Sequence, residues 1–506
     1  MNDIPSPPKR ILILGGGTAG WMCAVSIATA WKDLGVNIQL MESTDVGPIG
    51  VGEGSTPKMR RYFESLGIPE SEWMPACNAT YKCGIRFPGW STRKGYRSYY
   101  HPFFSFSDGQ SVRAFYNNAT IRSRNFDAHA HPDAFFISHY LAKNSRAPLS
   151  PPSTGYQADY GYHFDANLIG QFLKKKATEL GVTHLLDTVQ SVQRNTHGDI
   201  SGVVAEQRGL VEADFFIDCT GFAAVLIGKT LGTTFLPYDD TLFNDAAVAL
   251  PTPLEAGVPL PSETRSTALK YGWAWKIPLT NRFGNGYVYS SSYVDRDTAE
   301  RELREHTGQL DESVEARHLR MRVGRVETPW HRNCLAVGLS QGFIEPLEAT
   351  ALMIVQETIE HFIERFSAGN YSDRYQAPFN DKINLIFDSI RDYVFMHYKL
   401  NSRSDTEYWI DNRENNHGSD SIEAILDIWD RGGDLLEELK RQGQKLAYTP
   451  TSWYCILAGM GRFPNRPKKA KRNMPVMDPL VAKEHCERMM RHFPDHRKVI
   501  DAMANS

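Results

Sequence analysis

The chain of 506 residues has few cysteines and no long apolar run. Its seven cysteines are scattered singly, without C-x-x-C spacing, which argues against a disulfide framework or a zinc site and favours reduced thiols in a cytoplasm. No stretch approaches the roughly 20 apolar residues of a membrane span. The start MNDIPSPPKRILILGGG lacks the apolar run of a signal peptide. We therefore expect a cytoplasmic protein with no metal site and no membrane partner.

A strong excess of either charge is also lacking. The formal net charge of -3 gives no reason to expect nucleic acid as a partner. The most basic run, RPKKAKR from Arg466 to Arg472, lies among prolines and polar residues and is typical of a solvated loop. With 41% hydrophobic and 23% charged residues, the composition is that of a globular protein with an ample core.

The N-terminal segment predicts a strand, a glycine turn, a helix and a second strand. The first strand is the buried run ILIL, from Ile11 to Leu14, and GGGTAG follows it at once. A helical pattern then extends from Thr18 to about Trp31, and NIQLMES reads as the second strand. This order is a βαβ unit, whose crossover is right-handed.

The glycine turn of this unit carries the pattern G-x-G-x-x-G at Gly15, Gly17 and Gly20. The first glycine allows a tight turn, and the second lets the backbone approach a pyrophosphate that binds at the helix N-terminus. Glu42 ends the second strand, where a carboxylate is expected to bind the ribose. The unit therefore predicts a dinucleotide site.

The dinucleotide is predicted to be FAD. The chain has one such unit, whereas an enzyme that moves hydride from NAD(P)H to a bound flavin commonly needs two, so we expect no stable NAD(P)H site. DCTG (Asp218 to Gly221) and GLSQGF (Gly338 to Phe343) resemble the later strand-end contacts of FAD-binding two-domain folds. The predicted cofactor-binding residues are Gly15, Gly17, Thr18, Ala19, Gly20, Glu42, Val189, Gly221, Gly338 and Phe343.

The remaining sequence is partly aperiodic and partly helical. Residues 87–160 lose periodicity and read as an inserted aromatic loop region. Helices are predicted over YHFDANLIGQFLKKKATELGV, started by Asp165 or Asn167, and over ALMIVQETIEHFIERF. We expect an FAD-binding and catalytic core over residues 1–370 and a mainly helical substrate-binding part over 371–506, packed on the core as one unit.

Several motifs, in one order along the chain, resemble those of flavin-dependent tryptophan halogenases. WAWKIP matches the W-x-W-x-I-P motif of that family, and GGGTAGW, GVGEGSTP, NATYKCGIRFPGW, GYHFDA, GNGYVYSS and GFIEPLEAT support the match. The resemblance implies an α/β fold, a Rossmann-like FAD-binding domain of the flavin monooxygenase type with a mostly helical C-terminal part. It also implies that reduced FAD (FADH2), oxygen and chloride or bromide yield hypohalous acid, which moves through a tunnel to an aromatic substrate.

The W-x-W-x-I-P motif would line that tunnel. By the resemblance, Trp273 and Trp275, with Ile277 and Pro278, form a rigid wall that keeps the organic substrate away from the flavin. Residues two apart on a strand share a face, so both indoles point the same way. The residues alone also allow a second interpretation, a core strand with two buried indoles.

The resemblance further implies two catalytic residues. Lys82 matches the catalytic lysine, which hydrogen-bonds hypohalous acid or, once deprotonated, forms a haloamine. Glu348 would accept the proton of the ring intermediate or position the electrophile beside Lys82. The alternatives are a surface lysine and, for Glu348 and Glu345, a charge cluster at a helix N-terminus.

A halide site is expected where the helix after these carboxylates begins, at Thr350 and Ala351. Unpaired amides at a helix start form an anion site, and the family places the halide there. EATA stands where many members have ESTG, so Ala351 adds a methyl group. A preference for bromide over chloride is the hypothesis that follows.

The substrate is expected to be a small indole-type aromatic. His101 and Phe103 in YYHPFFSF are the candidates for stacking on it, and a packed aromatic loop is the alternative. Tryptophan-specific relatives grip the amino acid with a Glu, a Phe-Trp pair and a Tyr. The corresponding stretch GQKLAYTPTSWYC (Gly443 to Cys455) has no clear carboxylate or Phe-Trp pair, which favours a simpler indole or a larger aromatic over free tryptophan.

Two other functions are open from the sequence. An aromatic hydroxylase of the flavin monooxygenase class would consume NAD(P)H directly and has no use for WAWKIP and Lys82. A flavin-binding carrier needs the glycine loop but neither Lys82 nor Glu348. The halogenase hypothesis requires a separate NAD(P)H-dependent flavin reductase as partner, and family habit allows a homodimer.

Overall fold

The computed structural model of the chain describes residues 6–43, 52–255, 257–464 and 475–505. The basic run Arg466 to Arg472 and the first two residues of GVGEGSTP lie outside the described residues. The strands are β1 (Arg10–Leu14), β2 (Asn37–Glu42), β3 (Gly52–Gly54), β4 (Thr80–Lys82), β5 (Gly84–Pro88), β6 (Ser98–Pro102), β7 (Gly161–Asp165), β8 (Thr183–Leu186), β9 (Val189–Arg194), β10 (Ile200–Ala205), β11 (Gly209–Glu212), β12 (Phe215–Asp218), β13 (Phe235–Pro237), β14 (Ala246–Pro253), β15 (Thr264–Ala268), β16 (Gly272–Pro278), β17 (Arg282–Tyr289), β18 (Arg317–Arg320), β19 (Gly324–Val326), β20 (Trp330–His331), β21 (Cys334–Ala336) and β22 (Gly342–Phe343). The α-helices are α1 (Thr18–Ala30), α2 (Lys58–Ser65), α3 (Glu70–Ala76), α4 (Gly109–Ser123), α5 (Ile137–Lys143), α6 (Ala166–Glu179), α7 (Arg296–Thr307), α8 (Ala351–Ala368), α9 (Gln376–Leu400), α10 (Glu407–Glu414), α11 (Asp420–Asp430), α12 (Leu435–Gln442), α13 (Pro450–Gly459), α14 (Pro479–Met490) and α15 (His496–Ala504).

A six-stranded sheet carries the N-terminal βαβ unit, in the order β20-β21-β12-β1-β2-β8. Neighbours from β21 to β8 are parallel, and β20 is antiparallel at one edge. Residues Ile11 to Leu14 are all buried, as their continuous apolar run requires, because a parallel strand is covered on both faces. The predicted strand, helix and strand are confirmed as β1, α1 and β2.

A second sheet has seven strands in the order β18-β14-β17-β16-β15-β5-β6 and carries WAWKIP on β16, which ends at its proline. The rings of Trp273 and Trp275 lie 6.2 Å apart between centroids. Gly286 on β17 makes room for Trp275, because a Cβ there would come within 2.1 Å of the indole. A small sheet, β3-β7-β4, packs on this one where a Cβ on Gly52 would lie 3.5 Å from Ile277.

The aromatic region at 87–160 is less irregular than the sequence predicts. It contains α4 and α5 as well as β6. Helix α4 buries Val112, Phe115 and Ala119, spaced three and four apart, so the helical pattern is present. Its serines and asparagines have low helix propensity and obscure that pattern in the sequence. The expectation of a loop was wrong for these two helices.

Helices α6 and α8 both begin where the sequence predicts a helix start. Of the two candidates for the cap of α6, Asp165 is the N-cap, and its carboxylate accepts hydrogen bonds from the N–H groups of Asn167 and Leu168. Helix α8 begins at Ala351, as predicted, and extends to Ala368. Side-chain capping explains the first start, since Asp satisfies free N–H groups of the first turn.

The C-terminal part is helical, as predicted, and no strand follows β22 in the described part of the chain. Helix α9, 25 residues long, packs against α8. One buried cluster contains Ile13 of β1, Phe362 of α8, Ile383 of α9 and Trp453 of α13, so the helical part shares a core with the N-terminal sheet. Within the described ranges, no helix combines the length and the apolar character that crossing a membrane requires.

Candidate active site

Three glycine turns follow β1, β12 and β21, which are adjacent parallel strands. In the first turn Gly15 has a φ of +110°, and a Cβ on Gly20 would come within 2.0 Å of the Gly15 carbonyl oxygen. Gly16, which the sequence analysis does not single out, is equally constrained, since its Cβ would come within 1.7 Å of Oε2 of Glu42. These glycines let the helix start close against the sheet edge.

The start of α1 is open on the side of Gly17. Nothing lies within 4 Å of the place where a Cβ on Gly17 would be, and no side chain caps the helix. The first N–H groups of a helix, here including those of Thr18 and Ala19, have no intrahelical partner. The open space and the free donors fit a pyrophosphate group.

The two later glycine turns lie next to this helix start. Gly221 and Gly338 have φ values of +66° and +74°, in the left-handed region. A Cβ on Gly338 would come within 2.8 Å of the Ala19 side chain. Phe343 packs edge-on against Phe222, with ring centroids 5.8 Å apart. The structure thus brings the predicted residues of all three turns together.

Glu42 lies directly beside the glycine turn, with its carboxylate held by two basic side chains. Its Oε1 is 2.7 Å from Nε2 of His184 and 3.2 Å from Nζ of Lys174. Val189 begins β9 close by, because the N–H of Asp187 donates to the Glu42 carbonyl oxygen at 3.1 Å. These contacts fix the carboxylate at the end of β2.

Lys82 ends β4 and is fully buried. Its Nζ has no hydrogen-bond partner among the described residues and lies 5.4 Å from the ring centroid of Phe103. A Cβ on Gly54 would come within 3.2 Å of Nζ, so glycine preserves space beside the amine. Burial lowers the pKa of Lys82 to about 7, partly opposed by the negative charge of Glu348. The surface-lysine interpretation is therefore wrong.

Glu348 is a buried carboxylate between two imidazoles. Its Oε2 accepts a hydrogen bond from Nδ1 of His101 at 2.9 Å, and its Oε1 lies 3.0 Å from Nε2 of His397 in a close ion-pair contact. Burial alone would raise the pKa of Glu348, but the two histidines outweigh it and lower the pKa to about 2. The carboxylate is therefore ionised at neutral pH.

Each of the two imidazoles beside Glu348 makes a second contact through its other ring nitrogen. Nδ1 of His101 donates to Glu348, and Nε2 accepts from the hydroxyl of Ser452 at 2.9 Å. Nδ1 of His397 donates to the carbonyl oxygen of Tyr393 at 3.1 Å, while Nε2 faces the carboxylate. Both ring nitrogens of His397 thus face acceptor oxygens, one of a backbone carbonyl and one of Glu348.

The two predicted substrate residues lie beside Lys82 and Glu348. Phe103 lies over the lysine and His101 contacts the carboxylate. The aromatic surroundings continue with Tyr393 and Tyr448, stacked with centroids 3.7 Å apart, and with Trp453, which meets Tyr393 edge-on at 5.0 Å. The Tyr448 hydroxyl and the Trp453 indole N–H are buried and make no hydrogen bond within the described ranges.

Thr350 and Ala351 lie at the start of α8, directly after Glu348. Thr350 is buried, its hydroxyl has no hydrogen-bond partner in the part of the chain described, and no side chain caps the helix. Ala349 has a φ of +57°, which is uncommon for alanine and turns the chain sharply into the helix. The turn therefore presents free N–H groups and a free hydroxyl, the donors that an anion needs.

The two tryptophans of β16 are held in different ways. The indole N–H of Trp273 donates to Oε2 of Glu345 at 2.8 Å. The indole N–H of Trp275 has no hydrogen-bond partner among the described residues, and its ring lies over Gly286. One indole is thus fixed by a hydrogen bond and the other by packing.

The end of the same strand reaches the element that carries the lysine. Ile277 approaches Gly52 of β3, and the carbonyl oxygen of Pro278 accepts a hydrogen bond from the hydroxyl of Thr80 at 2.7 Å. Thr80 lies two residues before Lys82 on β4. Strand β16 therefore connects the turn of the two glutamates with the strand of the lysine.

Two residues of this site were missed or misinterpreted from the sequence. His397 lies within the run YVFMHYKL of α9, and no motif in the sequence marks it as a site residue. Glu345 was interpreted as one of a charge cluster at a helix N-terminus. That interpretation is wrong, because Glu345 is fully buried and accepts hydrogen bonds from three side chains.

Comparison with known proteins places this geometry in context. The family model described as tryptophan halogenase matches residues 10–476. Tryptophan 6-halogenase SttH of Streptomyces toxytricini is 36% identical over 94% of this chain and 93% of its own length, and tryptophan 7-halogenase RebH of Lentzea aerocolonigenes is 33% identical over 92% of each. The solved structure of Xcc4156, a flavin-dependent halogenase from Xanthomonas campestris, has a TM-score of 0.85 at 31% identity and 98% coverage of both chains.

Proposed function

The chain belongs to the flavin-dependent tryptophan halogenase family, and from this membership we propose how its site halogenates an aromatic ring. Halogenases of this family use reduced FAD and a halide. We propose that this chain transfers halogen to a neutral indole-type substrate. The observation that carries the proposal is Lys82, a buried amine without a hydrogen-bond partner in the described structure, close to the charge of Glu348.

The glycine turns and the start of α1 would hold the cofactor. Free N–H groups at Thr18 and Ala19 would bind the pyrophosphate, and Glu42 would bind the ribose. When bound, reduced FAD supplies hypohalous acid from oxygen and the halide. The passage along Trp273 and Trp275 would lead this oxidant away from the cofactor and toward Lys82, while the bulky indoles exclude the organic substrate.

Lys82 would bind the oxidant at the end of that passage. As an ammonium it donates a hydrogen bond to the oxygen of hypohalous acid and makes the halogen more electrophilic. As a neutral amine it takes the halogen and releases water, which gives a haloamine. A pKa of about 7 makes both protonation states available near neutral pH.

Glu348 would accept the proton that the ring loses. Electrophilic substitution leaves a cationic ring whose carbon must be deprotonated, and such a ring is a far stronger acid than a carboxylic acid. A carboxylate with a pKa of about 2 is therefore a sufficient base. His101 and His397 keep it ionised, so its charge also stabilises the cation before the proton leaves.

The halide would bind at the start of α8. The free hydroxyl of Thr350 and the backbone N–H of Ala351 are the donors offered there. The methyl group of Ala351 would give that site an apolar contact that glycine lacks, and the bromide preference rests on this contact, because bromide is more polarisable and less strongly hydrated than chloride.

The substrate is proposed to be an indole without a charged amino-acid group. SttH and RebH are tryptophan halogenases, which supports an indole ring as the substrate core. Residues 446–461, which supply Tyr448, Ser452 and Trp453 to the site, contain no charged residue. No side chain of this segment could pair with the ammonium and carboxylate of free tryptophan.

We propose that the chain is organised as a core over residues 1–370 and a helical substrate-binding part over 371–506, that a separate flavin reductase supplies FADH2, and that the protein is a homodimer. The buried cluster shared by β1, α8, α9 and α13 supports the packing of the two parts as one unit. The hydroxylase alternative is not favoured, because family membership and the buried lysine both point to halogen transfer.

The test is an assay with FAD, NADH, a separate flavin reductase and bromide or chloride, offering indole and free tryptophan in parallel. Mass spectrometry should show halogenated indole that forms only with halide, and slower conversion of tryptophan. Oxygenated indole without halide would overturn the function. Faster conversion of tryptophan would overturn the substrate assignment alone.

A further inference from the structure

Glu345 is a buried carboxylate that the proposed chemistry leaves without a role. It is fully buried, and its Oε1 has no hydrogen-bond partner among the described residues. No lysine, arginine or histidine of the described chain forms an ion pair with it. Burial raises the pKa of Glu345, and hydrogen bonds from Tyr398, Trp273 and Asn244 oppose this effect.

Three donors converge on one oxygen of this carboxylate. Oε2 of Glu345 accepts from the indole N–H of Trp273 at 2.8 Å, from the amide of Asn244 at 3.0 Å and from the hydroxyl of Tyr398. Asn244 also donates to the Tyr398 hydroxyl at 2.8 Å and accepts from Tyr408 at 2.9 Å. The carboxylate is therefore held directly by α9 through Tyr398 and by β16 through Trp273, while Tyr408 of α10 acts through Asn244.

The hydrogen bond from Trp273 connects this network to the W-x-W-x-I-P motif. Trp273 is buried, and a buried N–H left without an acceptor is unfavourable. Ring orientations that turn the indole N–H away from Glu345 are therefore disfavoured. Trp275, only two residues away, has no hydrogen bond in the described structure and depends on packing against Gly286.

We propose that Glu345 is a positioning residue that fixes the orientation of Trp273 and so keeps the passage between the cofactor and Lys82 selective for the small oxidant. Tyr398, Asn244 and Tyr408 would anchor the carboxylate against α9 and α10, and Glu345 would orient the indole. The inference rests on the proposed function, because the passage has a meaning only for a halogenase. It predicts that loss of Glu345 lowers the yield of product per FADH2 oxidised more than it lowers FAD binding.

The experiment is a pair of double-mutant cycles on the full chain, read as halogenated indole formed per FADH2 oxidised. In the first cycle, Glu345→Leu and Trp273→Phe remove the acceptor and the donor of one hydrogen bond. Each should lower the yield by about fivefold, and the double variant should be no worse than either single one, because both remove the same interaction. In the second cycle, Glu345→Leu and Trp275→Phe share no hydrogen bond, and their effects should multiply.

Conservative variants separate positioning from folding. Glu345→Gln keeps an acceptor oxygen and should restore most of the yield lost in Glu345→Leu. If the leucine variant does not fold, Tyr398→Phe removes one donor and should lower the yield by about twofold, without further loss when combined with Trp273→Phe. FAD affinity, measured by flavin fluorescence, should stay within about twofold throughout.

Effects that multiply in the Trp273 cycle would overturn the inference, as would a glutamine variant as impaired as the leucine variant. Either result could occur in an enzyme that still halogenates indole, and the proposed function would then stand. A wild-type enzyme that forms no halogenated product would instead overturn the proposed function itself. The two failures are therefore distinguishable.

Discussion

The glycine turns around α1 and the pocket between Lys82 and Glu348 are built in opposite ways. In the turns, backbone meets backbone at the ends of neighbouring parallel strands, and the essential feature is the absence of a Cβ. In the pocket, long side chains from distant segments meet, and the essential feature is buried charge. The first region tolerates no Cβ at Gly15, Gly16 or Gly20, and the second tolerates no lost polar groups, so different substitutions should damage each.

The largest effect is expected from a substitution that alters the pocket and leaves the glycine turns unchanged. Lys82→Met keeps an unbranched side chain, one atom shorter, and removes the amine, so halogenation of indole should fall by about 1,000-fold, as expected for loss of a positioned catalytic group. FAD affinity should not change, because Lys82 contacts none of the glycine turns. Mass spectrometry of the product and a flavin fluorescence titration measure the two quantities.

A matched control for this substitution is Lys276→Met. Lys276 also lies over an aromatic ring, 4.1 Å from the Phe283 centroid, but is exposed on β16. Its replacement should change halogenation by less than about twofold, as for most surface substitutions. Equal losses in the two variants, or loss of FAD by the Lys82 variant, would contradict the division between pocket and turns.

The next effect breaks the turns and spares the pocket. Gly20→Ala places a Cβ within 2.0 Å of the Gly15 carbonyl oxygen, and the resulting displacement should weaken FAD binding by about 10- to 100-fold. At saturating FAD the variant should recover most of its halogenation rate. Gly170→Ala adds the same atom to α6 where nothing lies within 4 Å, and FAD affinity should be unchanged. Unaltered affinity in Gly20→Ala would show that the turn is not the flavin site.

A smaller effect is expected on the pH dependence of the turnover number. Burial lowers the pKa of Lys82 to about 7, so its proton is bound below that pH and released above it. The turnover number for indole should therefore change with an inflection near pH 7. A fall with rising pH means that the ammonium is the active form, and a rise means that the neutral amine forms a haloamine. A turnover number independent of pH between 6 and 8, a window of about one unit on either side, would argue against any role for Lys82 in the chemical step.

The smallest effect is expected at the start of α8, where the turn at Ala349, with its positive φ, follows Glu348. Ala351→Gly removes the methyl group that distinguishes this chain from many relatives. The ratio of brominated to chlorinated indole, from a competition at equal halide concentrations, should fall by about fourfold, since one buried CH2 group is worth about 0.8 kcal/mol. Ala368→Gly makes the same change at the far end of α8 and should leave the ratio as it is. A mainly chlorinated product from the unmodified enzyme would contradict the bromide preference from the outset.

The glycine turns could be predicted from the sequence because everything that shapes them is local. A strand, a turn and a helix within about 30 residues place Gly15 and Gly20 without knowledge of the remaining chain. The family assignment, which the comparisons confirm, likewise came from short motifs in a fixed order. Lys82 and Glu348 were named from such motifs, and the structure buries both and places the charge of Glu348 near the amine of Lys82.

The partners within the pocket could not be predicted, since they come from distant parts of the chain. His101 precedes Glu348 by 247 residues and Ser452 follows His101 by 351, and no periodicity connects such positions. His397 and Tyr398 are ordinary members of the run YVFMHYKL of an amphipathic helix, and only the fold sets them against two carboxylates. Helix α4 was missed for a different reason, the low helix propensity of its serines and asparagines, which tertiary packing overrides.

Helix α9 presents consecutive residues to the turn GFIEPLEAT, His397 to Glu348 and Tyr398 to Glu345. Neighbouring residues on a helix point about 100° apart, so one helix register satisfies both acids at once. When halogenases are recombined to alter their substrate scope, the turn and helix α9 should therefore be taken from the same parent. A chimera that takes the turn from one parent and the helix from another separates each buried acid from its partner on α9.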